Sequence, residues 1–501
     1  MRPRSAKTAG ETLETLDEYL AALTSAGSVE VREGGRRMPE LEGFRFEVRR
    51  HGGRTLLHLW SSERSLVRRV MRLVERSPER VVLEVERFGR VNAVQLEMAL
   101  AGAPLPEGRL SRERFRARFA EILAEQFPDE RVQLLTMAPD LEHSFSRLYV
   151  RGVQAGVKQR QTRRAVLAVS AAEGAGTVDE ALTFGLLWLD WQREQSSVKQ
   201  FAGLRLFMPA GAATETALRM RGLSPDAQIE LYELEEAGRL VRRVEVRDTG
   251  NRAIWLAHRR DSEQALEAAM PAVERVRQLA PEAIDRVVPP GSREVVLRFR
   301  GLEFARWKDE RMEYTEAGAL GGQSFKTVED CVERLQLCRN PQAKDRNHPL
   351  FRVQPERWLE ASVLADPRRV DARLDPHHLY RQVPAMEIAD RGVIDLLGVT
   401  RDGRLVVIEL KASEDIHLPL QGLSYWLRVR EHQKEGTLQR YGYFTGVELQ
   451  AAAPLLFLVA PGFRFHSAGE ILLRYFLPEI SVTRIGLNEN WRSELQVVFR
   501  Q

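Results

Sequence analysis

Lysine is nearly absent from this chain. It makes up eight of the 75 basic residues among 501, the rest being arginine. Arginine does not replace lysine as a compact, strongly hydrated point charge, so the place of each remaining lysine is informative. Cysteine is limited to Cys331 and Cys338, which excludes a disulfide framework and a cysteine-based zinc centre. No apolar run approaches the roughly 18 residues that a membrane-spanning helix needs. The N-terminal stretch MRPRSAKTAGETLETLDEYLAALT has no apolar core of the signal-peptide kind. The expected setting is cytoplasmic, without membrane contact. A GxxxxGK[ST] phosphate loop is also missing, so any helicase or translocase would be a separate partner. Net charge is small, +4 from 75 basic and 71 acidic residues. That balance excludes a polycation and leaves room for a local basic patch.

What is present suits several α/β domains. The chain is 43% hydrophobic and long enough for three or four domains of roughly 100–200 residues. An α+β accessory domain is expected over 1–105, a second domain over 110–250, an α+β accessory segment with a polar linker over 251–345, and a densely patterned domain over 350–501. Within the first, Leu66, Val67, Val70, Met71 and Val74 fall at helical spacing. Arg68, Arg69, Arg72 and Arg76 lie largely around the other face. Arg68 and Arg72 are therefore candidates for contact with nucleic-acid phosphates, against the simpler reading of a solvated amphipathic helix.

The informative stretch is RGVIDLLGVTRDGRLVVIELKAS, residues 391–413. IDLLGV and RLVVIELKA are apolar, β-branched runs separated by a turn containing Asp402-Gly403. Glu409 and Lys411 are two apart and share one strand face. Whether Asp395 joins them depends on register. A two-residue loop pairs Asp395 with Leu410 and turns it away. A three-residue loop, Arg401 to Gly403 with Gly403 left-handed, pairs Asp395 with Glu409, and this form is expected. Two carboxylates and a lysine on one face suit metal-dependent hydrolysis of a phosphodiester. The carboxylates offer oxygen ligands to Mg²⁺ or Mn²⁺, and the lysine orients water or meets developing negative charge. An unpaired Asp and Glu inside such apolar runs would otherwise be costly to bury.

Asp395, Glu409 and Lys411 resemble the core triad of the PD-(D/E)xK nuclease superfamily, with Ile394 in place of the proline. Upstream, Glu360 in PERWLEASVLADP resembles the helix-borne acid of that superfamily. Downstream, Gln421-x-x-x-Tyr425 in QGLSYW is similar to the Q-x-x-x-Y motif of RecB-like exonucleases. PLLFLVAPG (454–462) matches the following core strand. The resemblance covers about 350–490. It implies a restriction-endonuclease-like mixed sheet flanked by helices. It further implies metal held by Glu360, Asp395, Glu409 and the carbonyl of Leu410, catalytic assistance from Lys411, and positioning by Gln421 and Tyr425. The activity expected is a Mg²⁺- or Mn²⁺-dependent deoxyribonuclease in a repair or defence context. DNA is the expected partner and RNA is left open. The alternative is a catalytically silent nucleic-acid-binding or scaffold protein built from nuclease-like folds. Glu387, His417 and the pair His377-His378 are weaker neighbours with simpler structural readings.

The order of elements over 113–234 parallels that over 352–487. Read along the sequence, Asp395 meets Tyr149, Glu409 meets Ala168 and Lys411 meets Ser170. Glu360 meets Glu121, and Thr183 and Leu187 stand at Gln421 and Tyr425. The domain at 110–250 is thus expected to be a degenerate, inactive copy of the same fold. Such a plan replaces the homodimer that many of these nucleases form, which favours a monomer.

Overall fold

A computed structural model of the chain describes residues 15–501, apart from 34–35, 39–40, 42, 52–53, 62–64, 78–79, 87–92, 101–105, 141–143, 158–162, 196–200, 237, 247–255, 257, 290–291, 315–326 and 385–392. The chain forms two compact units. One joins 1–105 to 264–358, and the other joins 106–263 to 359–501. Both are α/β in composition, with sheets flanked by helices.

The first unit opens with α1 (Leu16–Ala26), whose Leu16, Leu20 and Leu23 are buried at helical spacing. Its sheet is antiparallel, in the order β2-β1-β7-β6-β5-β4-β3. The strands are β1 (Val29–Glu33), β2 (Arg36–Arg37), β3 (Arg45–His51), β4 (Arg54–Trp60), β5 (Ser65–Ser77), β6 (Arg80–Glu86) and β7 (Ala93–Leu100). The helix expected over 66–76 is therefore strand β5. Its ladder with β6 shifts register between Val70 and Arg72 and again between Leu73 and Glu75. Such bulges break the two-residue alternation and let apolar residues fall at three- and four-residue intervals. Leu66 and Val70 are buried, whereas Met71 and Val74 are exposed. Arg68 is paired with Glu33 at 2.5 and 3.0 Å, and Arg72 is paired with Glu84. The basic helix face that motivated both as phosphate contacts does not exist.

The second unit begins with α2 (Pro106–Gln126) and a mixed sheet. Its strands are β8 (Glu130–Thr136), β9 (Tyr149–Gly156), β10 (Arg163–Val169), β11 (Phe201–Pro209), β12 (Ile229–Glu235) and β13 (Leu240–Arg243). Helix α3 (Ala181–Gln195) connects β10 to β11, and α4 (Thr214–Met220) connects β11 to β12. The start of the accessory segment expected over 251–345 lies, over 251–257 and Leu256 apart, outside the described residues. Helix α5 (Arg259–Arg277) then leads back to the first unit. There β14 (Ile284–Val287), β15 (Val295–Phe299), β16 (Leu302–Lys308) and β17 (Arg311–Tyr314) form an antiparallel sheet. The polar stretch expected as linker contains α6 (Val328–Cys338). Thr327 caps it, and Val328, Cys331, Val332, Leu335 and Cys338 bury one face of it. Helix α7 (Pro355–Ala365) follows.

The last segment builds the second mixed sheet from β18 (Leu374–Pro384), β19 (Val393–Thr400), β20 (Leu405–Leu410), β21 (Leu455–Pro461), β22 (Ser481–Leu487) and β23 (Val497–Arg500). Helix α8 (Leu418–Glu435) connects β20 to β21, and α9 (Gly469–Leu473) connects β21 to β22. Both mixed sheets follow chain order from edge to edge. In both, three antiparallel strands are followed by two parallel pairings and a closing antiparallel strand.

The two halves of this unit meet reciprocally. Helix α8 packs on α4, and α9 packs on α3. Arg428 reaches Glu215 at 2.6 Å, Arg219 donates to Ser424 Oγ at 2.8 Å, and Arg474 reaches Asp190 at 3.0 Å. Leu223, just after α4, forms an antiparallel bridge with Phe476, just after α9. The amide of Ser224 donates to the carbonyl of Tyr475 at 2.7 Å, and that of Leu477 donates to the carbonyl of Gly222 at 3.0 Å. Each residue after the bridge thus bonds the one before it on the other side, as at a two-fold axis. Side chains of both sheets share one apolar core. Among the described residues, no helix is long and apolar enough to cross a membrane.

Candidate active site

The β19–β20 hairpin fixes the centre of the site. Thr400 and Arg404 close a three-residue loop: the Thr400 amide donates to the Arg404 carbonyl at 2.8 Å, and the Gly403 amide donates to the Thr400 carbonyl at 2.9 Å. Gly403 is left-handed at φ +87°. A Cβ there would lie 2.1 Å from the Glu448 carbonyl oxygen, so only glycine fits. The ladder runs Leu396–Ile408, Leu397–Val407, Gly398–Val406 and Val399–Leu405. The same register sets Asp395 opposite Glu409. This is the three-residue form expected from the sequence.

Every residue of β20 is buried. The Leu410 amide donates to Asp395 Oδ2 at 2.9 Å, tying that carboxylate to the backbone between Glu409 and Lys411. Lys411 Nζ stands 3.5 Å from Glu409 Oε1 and 3.6 Å from Asp415 Oδ2. Glu409 is only 3% exposed, and its Oε2 makes no hydrogen bond among the described residues. Burial, and then the Asp395 charge, push the Glu409 carboxyl well above the usual carboxylate range, against the opposing pull of Lys411. Tyr425 on α8 feels the same centre. Its phenol is raised by burial first and by Glu409 and Asp395 next. Gln421, one helical turn earlier, has a buried Oε1 with no hydrogen-bond partner among the described residues. Glu360 on α7 is 2% exposed, and its two oxygens accept from Gln382 Nε2 at 3.1 and 3.2 Å.

Asp395, Glu409 and Lys411 are thus brought together, with Tyr425 in their field, while Glu360 is engaged by Gln382. Among the described residues, no group of three or more His, Cys, Asp and Glu side chains converges as a metal cage. The donor set still fits Mg²⁺. This ion is commonly held by one or two carboxylates and keeps water or phosphate oxygens in its other positions. A buried carboxylate oxygen without a partner is what such an ion would satisfy.

Three participants were not evident from the sequence. Gln382 occupies a left-handed position, φ +51°, within β18. Asp415 lies four residues beyond Lys411, a spacing that the sequence does display. His417 is neither a loop residue without contacts nor exposed. It is 5% exposed at the start of α8, with Nδ1 3.0 Å from Thr183 Oγ1 and Nε2 3.2 Å from Glu180 Oε2. His378 pairs with Asp375 at 2.7 Å within the opening turn of β18, and Glu387 lies outside the described residues.

The first mixed sheet holds different residues at these positions. Gly185 and Gly422 anchor the comparison. A Cβ at Gly185 would meet Leu204 and Leu206, and one at Gly422 would meet Leu456 and Leu458. Leu206 pairs with Leu167 and Leu458 with Glu409. Leu167 in turn pairs with Arg151. Arg151 therefore stands where Asp395 stands, Leu167 at Glu409, and Val169 at Lys411. Phe184 and Trp188 take the places of Gln421 and Tyr425. The expected matches to Tyr149, Ala168, Ser170, Thr183 and Leu187 are corrected by one or two residues. The connection 170–180 is longer than 411–417, so a reading along the sequence loses phase. Glu121 is exposed and pairs with Arg239 at 2.8 Å, so it does not take the buried place of Glu360. Arg151 is buried over the rings of Phe145 and Trp188, at 4.3 and 5.4 Å, and donates to the Ser146 and Ala138 carbonyls. Burial lowers its guanidinium to about 10.

A scan against protein-family models finds none that matches the chain, and a search of curated proteins finds no match.

Proposed function

We propose that the chain is a metal-dependent nuclease of the PD-(D/E)xK type, in its Q-x-x-x-Y variant, acting on DNA. The reading takes the second mixed sheet as a restriction-endonuclease-like core and the first as a degenerate copy of it. One observation carries it: the hairpin register sets Asp395 against Glu409, with Lys411 Nζ 3.5 Å from a buried carboxylate whose other oxygen is unsatisfied among the described residues. Two carboxylates and one ammonium meeting on an otherwise apolar strand pair are expensive to assemble without a chemical use.

In this reading Asp395 and Glu409 hold the ion, with the Leu410 carbonyl beside them. Glu360 stands by through Gln382. A bound divalent ion supplies Lewis acidity, making water a better nucleophile and offsetting charge on the phosphate. The Leu410 amide keeps the Asp395 carboxylate oriented. The Lys411 ammonium orients the attacking water and meets the charge that grows on the phosphate. Gln421 and Tyr425, one turn apart on α8, position the strand or the triad.

The test is cleavage of single-stranded, duplex, flapped and branched DNA, and of RNA, with Mg²⁺ or Mn²⁺. Asp395→Ala and Lys411→Ala should each lower the rate at least about 100-fold. A wild-type chain that binds these substrates and cuts none, or variants that cut undiminished, would overturn the proposal and favour a non-catalytic scaffold. Cleavage of RNA alone would keep the chemistry and replace the substrate.

A further inference from the structure

The segment between Lys411 and α8 is short, and its far end is anchored outside its own sheet. Asp415 Oδ2 lies 3.6 Å from Lys411 Nζ, while Asp415 Oδ1 accepts from the His417 amide at 2.9 Å. The His417 ring then leaves the second mixed sheet altogether. It lies edge-to-face on Phe184, centroids 5.4 Å apart. Its Nδ1 meets the Thr183 hydroxyl at 3.0 Å, and its Nε2 meets Glu180 at 3.2 Å. Nε2 faces the carboxylate, and Nδ1 shares a hydrogen bond with the hydroxyl. Both ring nitrogens are thereby committed to the first half of the unit. A second tie runs beside it: His466 Nε2 is 3.1 Å from Ser144 Oγ and 4.0 Å from Glu414.

We infer that Thr183, Glu180 and His417 are positioning residues, through which the first mixed sheet braces the loop that holds Lys411 in register with Glu409. This rests on the nuclease reading of the same site. It gives the half that lacks a counterpart of the Asp395–Glu409 pair a definite task. Lys411 has three flexible methylene-linked torsions beyond Cβ, and two carboxylates, Glu409 and Asp415, decide where its Nζ rests. Asp415 can do so only if the loop that carries it is fixed. Ile416 seats that loop in the apolar core, and His417 is its buried polar anchor; the partners of His417 belong to α3 and the turn before it.

Thr183 supplies a clean probe because it is 1% exposed and lies outside the reacting centre. Thr183→Val keeps the shape and removes the hydroxyl, whereas Thr183→Ser keeps the hydroxyl. The experiment uses the full chain, with two readouts: steady-state cleavage of a DNA substrate, and amide hydrogen exchange of 411–417 in the metal-free protein. Thr183→Val, and Glu180→Gln with it, should lower kcat about tenfold, leave KM unchanged, and speed exchange in 411–417. Thr183→Ser should restore wild-type values of both. Unchanged exchange in the double variant would overturn the brace. Faster exchange with unchanged kcat would overturn its role in positioning Lys411. A wild-type chain that cuts nothing would count against the nuclease reading, while the exchange result still decides whether the brace exists.

Discussion

Glu409 sits in surroundings that oppose its charge. It is buried, faces Asp395, and has one oxygen without a hydrogen-bond partner among the described residues. Its carboxyl is therefore raised in the folded chain, whereas the unfolded chain titrates it in the ordinary range. Between those two values the folded state binds the extra proton, so stability falls as pH rises through that window. The metal-free protein should accordingly lose stability as pH rises above the ordinary carboxylate range, read as a denaturant midpoint in the presence of a chelator. Glu409→Gln should narrow that loss while abolishing cleavage, and Mg²⁺ should restore the wild type at the alkaline end of that rise but not the variant. An identical pH dependence in both proteins would refute this account. At this scale the sequence was legible wherever chemistry and spacing coincide. Of eight lysines, Lys411 alone follows an acid by two residues. His417 was visible only as a weak neighbour, and its contact was illegible because its side-chain partner Thr183 lies 234 residues away, and no local pattern encodes such a contact.

Among the elements, the β19–β20 hairpin does the aligning, and its weak point is the loop. Gly403 is left-handed, its carbonyl accepts from the Gln450 amide at 2.8 Å, and its α-carbon faces the Glu448 carbonyl. Gly403→Ala meets both a backbone penalty of about 1–2 kcal/mol and a clash with main chain that a side-chain rotation does not relieve. It should destabilise the protein by more than about 2 kcal/mol in urea unfolding. It should also reduce cleavage out of proportion to the folded fraction, because a loop that rearranges moves Asp395 against Glu409. Wild-type activity per folded molecule would argue that the register is held elsewhere. This hairpin could be read from the sequence because a turn dipeptide, two β-branched runs and one charged pair agree. Strand β5 could not, because two bulges give it the spacing of a helix. Helix α6 was hidden differently. Its apolar face is regular, from Val328 to Cys338, but short and set in a polar stretch. The local signal of a capping Thr327 was outweighed by its flanks.

For the molecule as a whole, the paired sheets leave a single set of carboxylates where a symmetric dimer would carry two. The place of Asp395 in the other half is filled by Arg151 against Phe145 and Trp188. On the nuclease reading, one encounter with duplex DNA breaks one strand. Supercoiled plasmid treated with less than one chain per circle should accumulate open circles before linear molecules. Linear product appearing first would reveal a second centre or a dimer of chains. The bridge of Leu223 to Phe476 has a consequence of another kind. In an assembly of identical copies, the residue on the axis must meet itself, and every mutation is made twice. Here the axis runs through one polypeptide, so its two sides are inherited separately. Leucine can face phenylalanine across it, and Arg428 can face Glu215 without a mirrored pair having to exist. On the reading of the first mixed sheet as a degenerate copy, covalent fusion frees that side to lose its chemistry and specialise as a support. That freedom is closed to a homodimer, in which the same change would silence both centres at once.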